Sequence, residues 1–178
     1  MPWDAPGSTA IVVLTGDAEP VIGDVYSRYA SAGRQGMTPH VTLIVPFVPA
    51  AELGPSVEHR LRALFNRVQP FDYVLERFEY FESGVLYLAP EPAPPFVDVV
   101  LALAAELPDY PPYEGLHDDV IPHVTVVESR DQELLARIRS EIEPRLPIAC
   151  RAQTATLVER GLDFRWRPRT AYTLGSLQ

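Results

Sequence analysis

Pro39-His40-Val41-Thr42-Leu43-Ile44-Val45 and Pro122-His123-Val124-Thr125-Val126-Val127 open with the same tetrapeptide, PHVT, and reading them together decides the fold. The copies lie 83 residues apart (His40 to His123) in a chain of 178 residues. A repeated tetrapeptide is weak evidence alone. What surrounds each copy is stronger, because the order of elements repeats as well.

Before the first copy, Thr9 to Thr15 is β-branched and apolar and reads as a buried strand. Pro20 suits the first turn of a helix, and Val21, Val25 and Tyr29 recur at helical spacing until Gly33 and Gly36 end it. The first copy forms a strand, His40 to Val45, closed by Pro46. Val57, Leu61, Leu64 and Val68 then mark an amphipathic helix over about 55–68, and Phe71 to Phe81 a third strand.

After the turn Glu82-Ser83-Gly84 the order restarts. Val85 to Ala89 is a strand, Phe96 to Leu107 an apolar helix, and His123 to Val127 a strand. Leu134, Leu135, Ile138 and Ile142 mark a helix, Ile148 to Val158 a strand, and Phe164 to Leu174 one more. The expected fold is α+β: one domain over 1–178, a bilobal pseudo-twofold duplication with lobes of about 9–81 and 84–174. Terminal strands are free to exchange between the lobes. Two mostly antiparallel sheets flank a central cleft, with helices outside.

Side chains alternate along a strand, so His40 and Thr42 share one face, about 7 Å apart, while Val41 and Leu43 face the other way. His123 and Thr125 stand likewise against Val124 and Val126. Two imidazoles and two hydroxyls around one cleft suit cleavage of a phosphodiester. One imidazole takes a proton from the attacking oxygen and the other protonates the departing one, which histidine alone does readily near neutral pH. The hydroxyls donate to the phosphoryl oxygens. Which histidine is base stays open at this level. A zinc reading of the two histidines needs further ligands; His117, Asp118 and Asp119 are candidates, at no familiar spacing.

Composition narrows the partners. Fifteen basic against 24 acidic residues give a net charge of −9, the wrong sign for gripping extended nucleic acid. One cysteine, Cys150, makes an intrachain disulfide impossible, and a polar, Pro/Gly-rich Met1 to Ala10 lacks the pattern of a signal peptide. The expectation is a cytoplasmic monomer with no membrane span.

The two motifs, HVTL at 40–43 and HVTV at 123–126, resemble the signature of the 2H phosphoesterase superfamily in its 2'-5' RNA ligase-like branch. The flanks HVTLIVPFVP (40–49), DDVIPHVTVVES (118–129) and LVERGLDFRWRPRTAYTLG (157–175) are similar to bacterial members. The resemblance implies a bilobal α+β fold with His40, Thr42, His123 and Thr125 in the cleft. It also implies metal-independent, cofactor-free chemistry on 2',3'-cyclic phosphates, 2'-5' linked nucleotides or ADP-ribose cyclic phosphate. No GxxxxGK[ST] pattern is present, in keeping with a ligase name that reflects reversible transesterification and not ATP-driven joining. The acidic balance favours a small nucleotide or an RNA end over structured RNA.

Further substrate-binding candidates are Phe47, Tyr87, His117, Arg165, Trp166 and Arg167. The aromatics are of the kind that stack on a base. The arginines alternate with Phe164, Trp166 and Pro168 to give one basic strand face, suited either to phosphate or to protecting an edge strand. His117 lies in an acidic, aromatic loop just before the second motif. Two rival readings stand beside the enzyme: a protein that binds a nucleotide in the same cleft without turnover, and a structural duplication whose histidines lie far apart or point into the core.

Overall fold

The computed structural model describes residues 5–111, 115 and 120–175. Its strands are β1 (Thr9–Leu14), β2 (His40–Ile44), β3 (Phe71–Phe81), β4 (Val85–Glu91), β5 (Val124–Glu128), β6 (Ile148–Ala152), β7 (Thr154–Arg160) and β8 (Trp166–Thr173). Its helices are α1 (Glu19–Tyr29), α2 (Ser31–Arg34), α3 (Pro55–Arg67), α4 (Pro94–Glu106) and α5 (Gln132–Ile142). The class is α+β, as expected, and every strand pairing is antiparallel.

The expected two sheets are the halves of one. The strand order is β6-β3-β4-β5-β2-β1-β7-β8. Four strands lie on each side of the β5–β2 junction, and that junction is made by a single pair, Val41 opposite Val124. The two PHVT strands are therefore neighbours at the centre. β3 belongs with the second copy, and β7 and β8 with the first, so each half mixes strands from the two expected lobes.

A second correction concerns Ile148 to Val158, read from sequence as one strand. It is two, broken at Gln153: β6 pairs with β3, and β7 with β1 and β8. Only one residue separates them, yet β6 is the first strand of the order and β7 the last but one. A link that short spans a few ångströms, so the sheet must curl until its ends approach. Continuous β-branched and apolar character hid the break, because both strands carry it.

Alternation then sorts the side chains. Ile11, Val13, Val41, Leu43, Leu86, Leu88, Val124 and Val126 point into the main core, where they meet Leu61 and Phe65 of α3, Phe96 and Leu103 of α4, and Leu135 and Ile138 of α5. At about 25 cal/mol per Å² of apolar area removed from water, this layer is the main source of stability. Ala10 and Val12 point the other way and form a smaller cluster with Tyr26, Ala30, Met37, Val158 and Trp166. The polar members of the PHVT strands open onto that second face.

The α1–α2 connection frames it. Sequence reading ended one helix at Gly33; the chain instead breaks at Ala30, in extended conformation, and makes one further turn, Ser31–Arg34. Gly33 is what allows the two helices to touch, since a Cβ there would lie 2.3 Å from the Tyr26 carbonyl oxygen. Gly36 follows at φ +89, a left-handed conformation open to glycine, and turns the chain back towards β2.

Candidate active site

The second face carries a cavity of about 350 Å³ lined by His40, Thr42, His123 and Thr125 together. The antiparallel register through Val41 and Val124 sets His40 across from Thr125, and Thr42 across from His123. The two histidines are then diagonal neighbours, about 7–8 Å apart at the backbone, with a hydroxyl residue at each other corner. This is the spacing at which two side chains reach one phosphoryl group from opposite sides. The structural reading, with the histidines apart or in the core, is overturned by this placement.

Each imidazole is aimed by the same local device. His40 Nδ1 lies 2.9 Å from the Thr38 carbonyl oxygen and His123 Nδ1 lies 2.8 Å from that of Ile121. A carbonyl only accepts, so each Nδ1 carries the proton and donates it, which leaves each Nε2 with its lone pair free. The proline between that carbonyl and the histidine in each copy holds the backbone in the extended region that this contact uses.

The surroundings of the two rings differ. His40 has Tyr26 edge-on, ring centroids 6.4 Å apart, with the phenol oxygen 3.4 Å from Nδ1. His123 sits against Phe81 and Tyr87, at 5.1 and 5.5 Å, and these two rings stack on each other at 4.3 Å. Burial pulls the His40 pKa from 6.5 down to about 4; the Thr38 carbonyl opposes this and the neighbouring His123 adds to it. Burial also lowers His123, against the Ile121 carbonyl. With both values below 6.5, both rings are uncharged at neutral pH. The Thr42 and Thr125 hydroxyls have no hydrogen-bond partner among the described residues and are free to donate.

The cavity is lopsided. Its floor is Ala10 and Val12 of β1, Val158 of β7 and Trp166 of β8, and Gln35 and Met37 stand at its side. The other half contributes His123, Thr125 and Glu128, because the stacked Phe81 and Tyr87 fill the corresponding space there. Glu128 accepts from the Ser31 amide and hydroxyl, both at 2.9 Å, tying α2 to β5 across the cavity. Among the described residues, no Arg lines the cavity, and no three His, Cys, Asp or Glu side chains cluster closely enough to hold a metal ion.

Of the other candidates, Trp166 lines the cavity and Arg165 lies at its edge, its guanidinium beside Gly36. Tyr87 supports His123 from behind. Two candidates lie elsewhere. Phe47 is 3% exposed and packs on Tyr110 in the main core, since the turn after β2 carries it to the far face. Arg167 is held by Asp163 through a two-pronged ion pair at 2.8 and 2.6 Å. Phe164, expected on an apolar strand face, is instead a turn residue at φ +61 and 53% exposed. His117 lies outside the described residues. Sequence reading missed Tyr26, Ser31, Gln35, Met37 and Glu128, which carry no motif and reach the cavity through the α1–α2 bend and the end of β5.

A family model described as the 2'-5' RNA ligase superfamily matches residues 17–163. No curated protein matches the chain in sequence. Among solved structures, TT0787 of Thermus thermophilus superposes with a TM-score of 0.65 at 16% identity, covering 96% of this chain and 100% of that one. Escherichia coli LigT, crystallised with 3'-AMP, superposes with a TM-score of 0.59 at 18% identity, covering 96% and 99%. LigT in complex with ATP gives 0.55 at 15% identity, covering 96% and 99%. Fold and family model together establish that the chain belongs to the 2'-5' RNA ligase superfamily of 2H phosphoesterases.

Proposed function

We propose that the cavity is a metal-independent two-histidine phosphodiesterase site. Its substrates would be 2',3'-cyclic phosphates or related nucleotide phosphodiesters, either 2'-5' linked or of the ADP-ribose cyclic phosphate type. The observation that carries this reading is the pair of matched Nδ1–carbonyl contacts, which leave two bare Nε2 atoms and two unpartnered threonine hydroxyls around one space.

The lopsided cavity supports an assignment of roles. A nucleoside fits over β1, β7 and β8, on the His40 side. In a cyclic phosphate the leaving oxygen stays on the ribose, so it lies on that side too. Attack comes from the opposite direction, in line. His123 then takes the proton from water as the new P–O bond forms. His40, protonated when the bound anion offsets its burial, gives its proton to the ribose oxygen as the old P–O bond breaks. Thr42 and Thr125 donate to the two non-bridging oxygens throughout. The product is a phosphomonoester, and the two histidines have exchanged protonation states.

Charge supports a phosphodiester over a monoester. A cavity with one carboxylate and no guanidinium among its described lining residues suits a single negative charge better than two. The structures of LigT with 3'-AMP and with ATP support a small nucleotide as the kind of ligand. The test is opening of 2',3'-cyclic nucleotides in EDTA by the wild type and by His40→Ala and His123→Ala. We expect activity in EDTA and its loss in both variants; full activity in either variant would refute the mechanism.

A further inference from the structure

The cavity contains one polar group that the chemistry above leaves unused. The Gln35 side-chain oxygen lies 3.1 Å from the indole nitrogen of Trp166. An indole N–H only donates, so the amide must present its oxygen there. That fixes which way the amide faces, a choice that is otherwise open for glutamine. Its NH2 group, with two donors, has no partner among the described residues, and Gln35 is one of the residues that line the cavity.

The amide is also rigidly held. The Trp166 backbone N–H donates to the Gln35 carbonyl at 2.9 Å, and the Gln35 N–H donates to the Ser31 and Ala32 carbonyls at 3.1 Å each. Gln35 is thus pinned to the start of β8 by backbone and side chain, beside the apolar floor. A donor fixed next to an apolar floor matches an aromatic ring with acceptors on its edge.

We propose that Gln35, oriented by Trp166, reads the base of the substrate. It donates its amide N–H groups to a carbonyl oxygen or ring nitrogen on the edge of a nucleobase seated over β1, β7 and β8. Gln35 is a specificity-determining residue and Trp166 its positioning residue. The proposal rests on the nucleotide reading of the cavity.

The test uses the four 2',3'-cyclic nucleotides and, as a base-free control, ribose 2',3'-cyclic phosphate. Gln35→Glu keeps the oxygen that Trp166 needs and replaces the donor with an acceptor. Trp166→Phe keeps a ring and frees the amide to turn. The wild type should rank the four bases, with kcat/KM differing about three- to tenfold, the scale of a hydrogen bond. Gln35→Glu should change that ranking through KM, while the base-free substrate reports the uniform effect of the added charge. Trp166→Phe should compress the ranking. A merely structural role would lower activity on base-bearing and base-free substrates alike. A wild type indifferent to the base, or a ranking intact in Gln35→Glu, overturns the proposal. Should the wild type turn over none of the substrates, the phosphodiesterase reading falls, and calorimetric titration of the four 3'-nucleoside monophosphates decides the role of Gln35 separately. Base-dependent affinities that change in Gln35→Glu support it; unchanged affinities or no binding overturn it.

Discussion

Val41 and Val124 are both fully buried and face each other at the pair that joins the two halves of the sheet. Each is flanked in sequence by the His and Thr of its own motif, so this one contact sets the distance between the imidazoles. Val41→Ala should cost about 2–3 kcal/mol in urea unfolding, from lost burial and the cavity left behind. It should also lower kcat more than Leu64→Ala, a deletion in α3, which packs on the edge strand β8 in the same core. Equal loss of kcat in the two would show that the junction does not govern the site.

The Nδ1–carbonyl contacts separate the structural from the chemical part of each histidine. Asparagine can place an amide N–H where Nδ1 stands but has nothing at Nε2. His40→Asn and His123→Asn should therefore keep melting temperatures close to the wild type. Their kcat should fall by about 10²–10⁴, the range for losing a general acid or base. Thermal unfolding beside a cyclic phosphate assay checks both halves of the statement.

How much of this was legible beforehand depends on the kind of signal. The PHVT strands and the four site residues could be read because alternation in a strand is local: Val41 in, Thr42 out follows from neighbours alone. The single sheet could not, because pairing of β5 with β2 rests on one contact between residues 83 apart (41 to 124). Phe47 misled because an aromatic just after a motif looks like a base platform, while Pro46 and the turn send it to the core. Gln35 and Glu128 gave no signal at all. Their importance comes from Trp166 and Ser31, partners 131 and 97 positions away.

Thr42→Val and Thr125→Val test the hydroxyls with little change in shape. Neither hydroxyl has a protein partner among the described residues, so stability should stay within about 0.5 kcal/mol of the wild type. The kcat should drop by about 10²–10³ for each if the hydroxyls stabilise charge on the phosphoryl oxygens. A rise in KM alone, with kcat intact, would assign them to ground-state binding.

The burial of His40 gives stability a pH dependence of known sign. Its folded pKa, about 4, lies below its ordinary value of 6.5. Above pH 6.5 the ring is neutral in both states and contributes nothing. As pH falls from 6.5 to 4 the unfolded chain takes up a proton that the folded chain refuses, so stability declines; below 4 both states hold the proton and the decline ends. The loss amounts to at most about 3 kcal/mol. In His40→Asn this contribution vanishes, so the difference in unfolding free energy between about pH 7.5 and about pH 4.5, which bracket most of that window, should be smaller than in the wild type. An identical difference would mean that the ring titrates alike in both states.

Arg165 and Arg167 look equivalent in the segment Phe164 to Arg169, and the structure separates them. Arg167 is already committed to Asp163, an exposed pair of the kind worth about 0–1 kcal/mol. Arg165 has no side-chain ion pair among the described residues, and its guanidinium lies beside Gly36, next to Gln35 and Met37 of the cavity. A cation there attracts an approaching phosphodiester without touching the reacting atoms. Arg165→Ala should raise KM severalfold with kcat unchanged, and the effect should shrink as salt is added, because exposed charges are screened over about 8–10 Å at about 0.1–0.15 M. Arg167→Ala should leave both constants alone. Steady-state kinetics at two ionic strengths distinguishes the cases, and a kcat effect in Arg165→Ala would instead place that side chain on the reacting group.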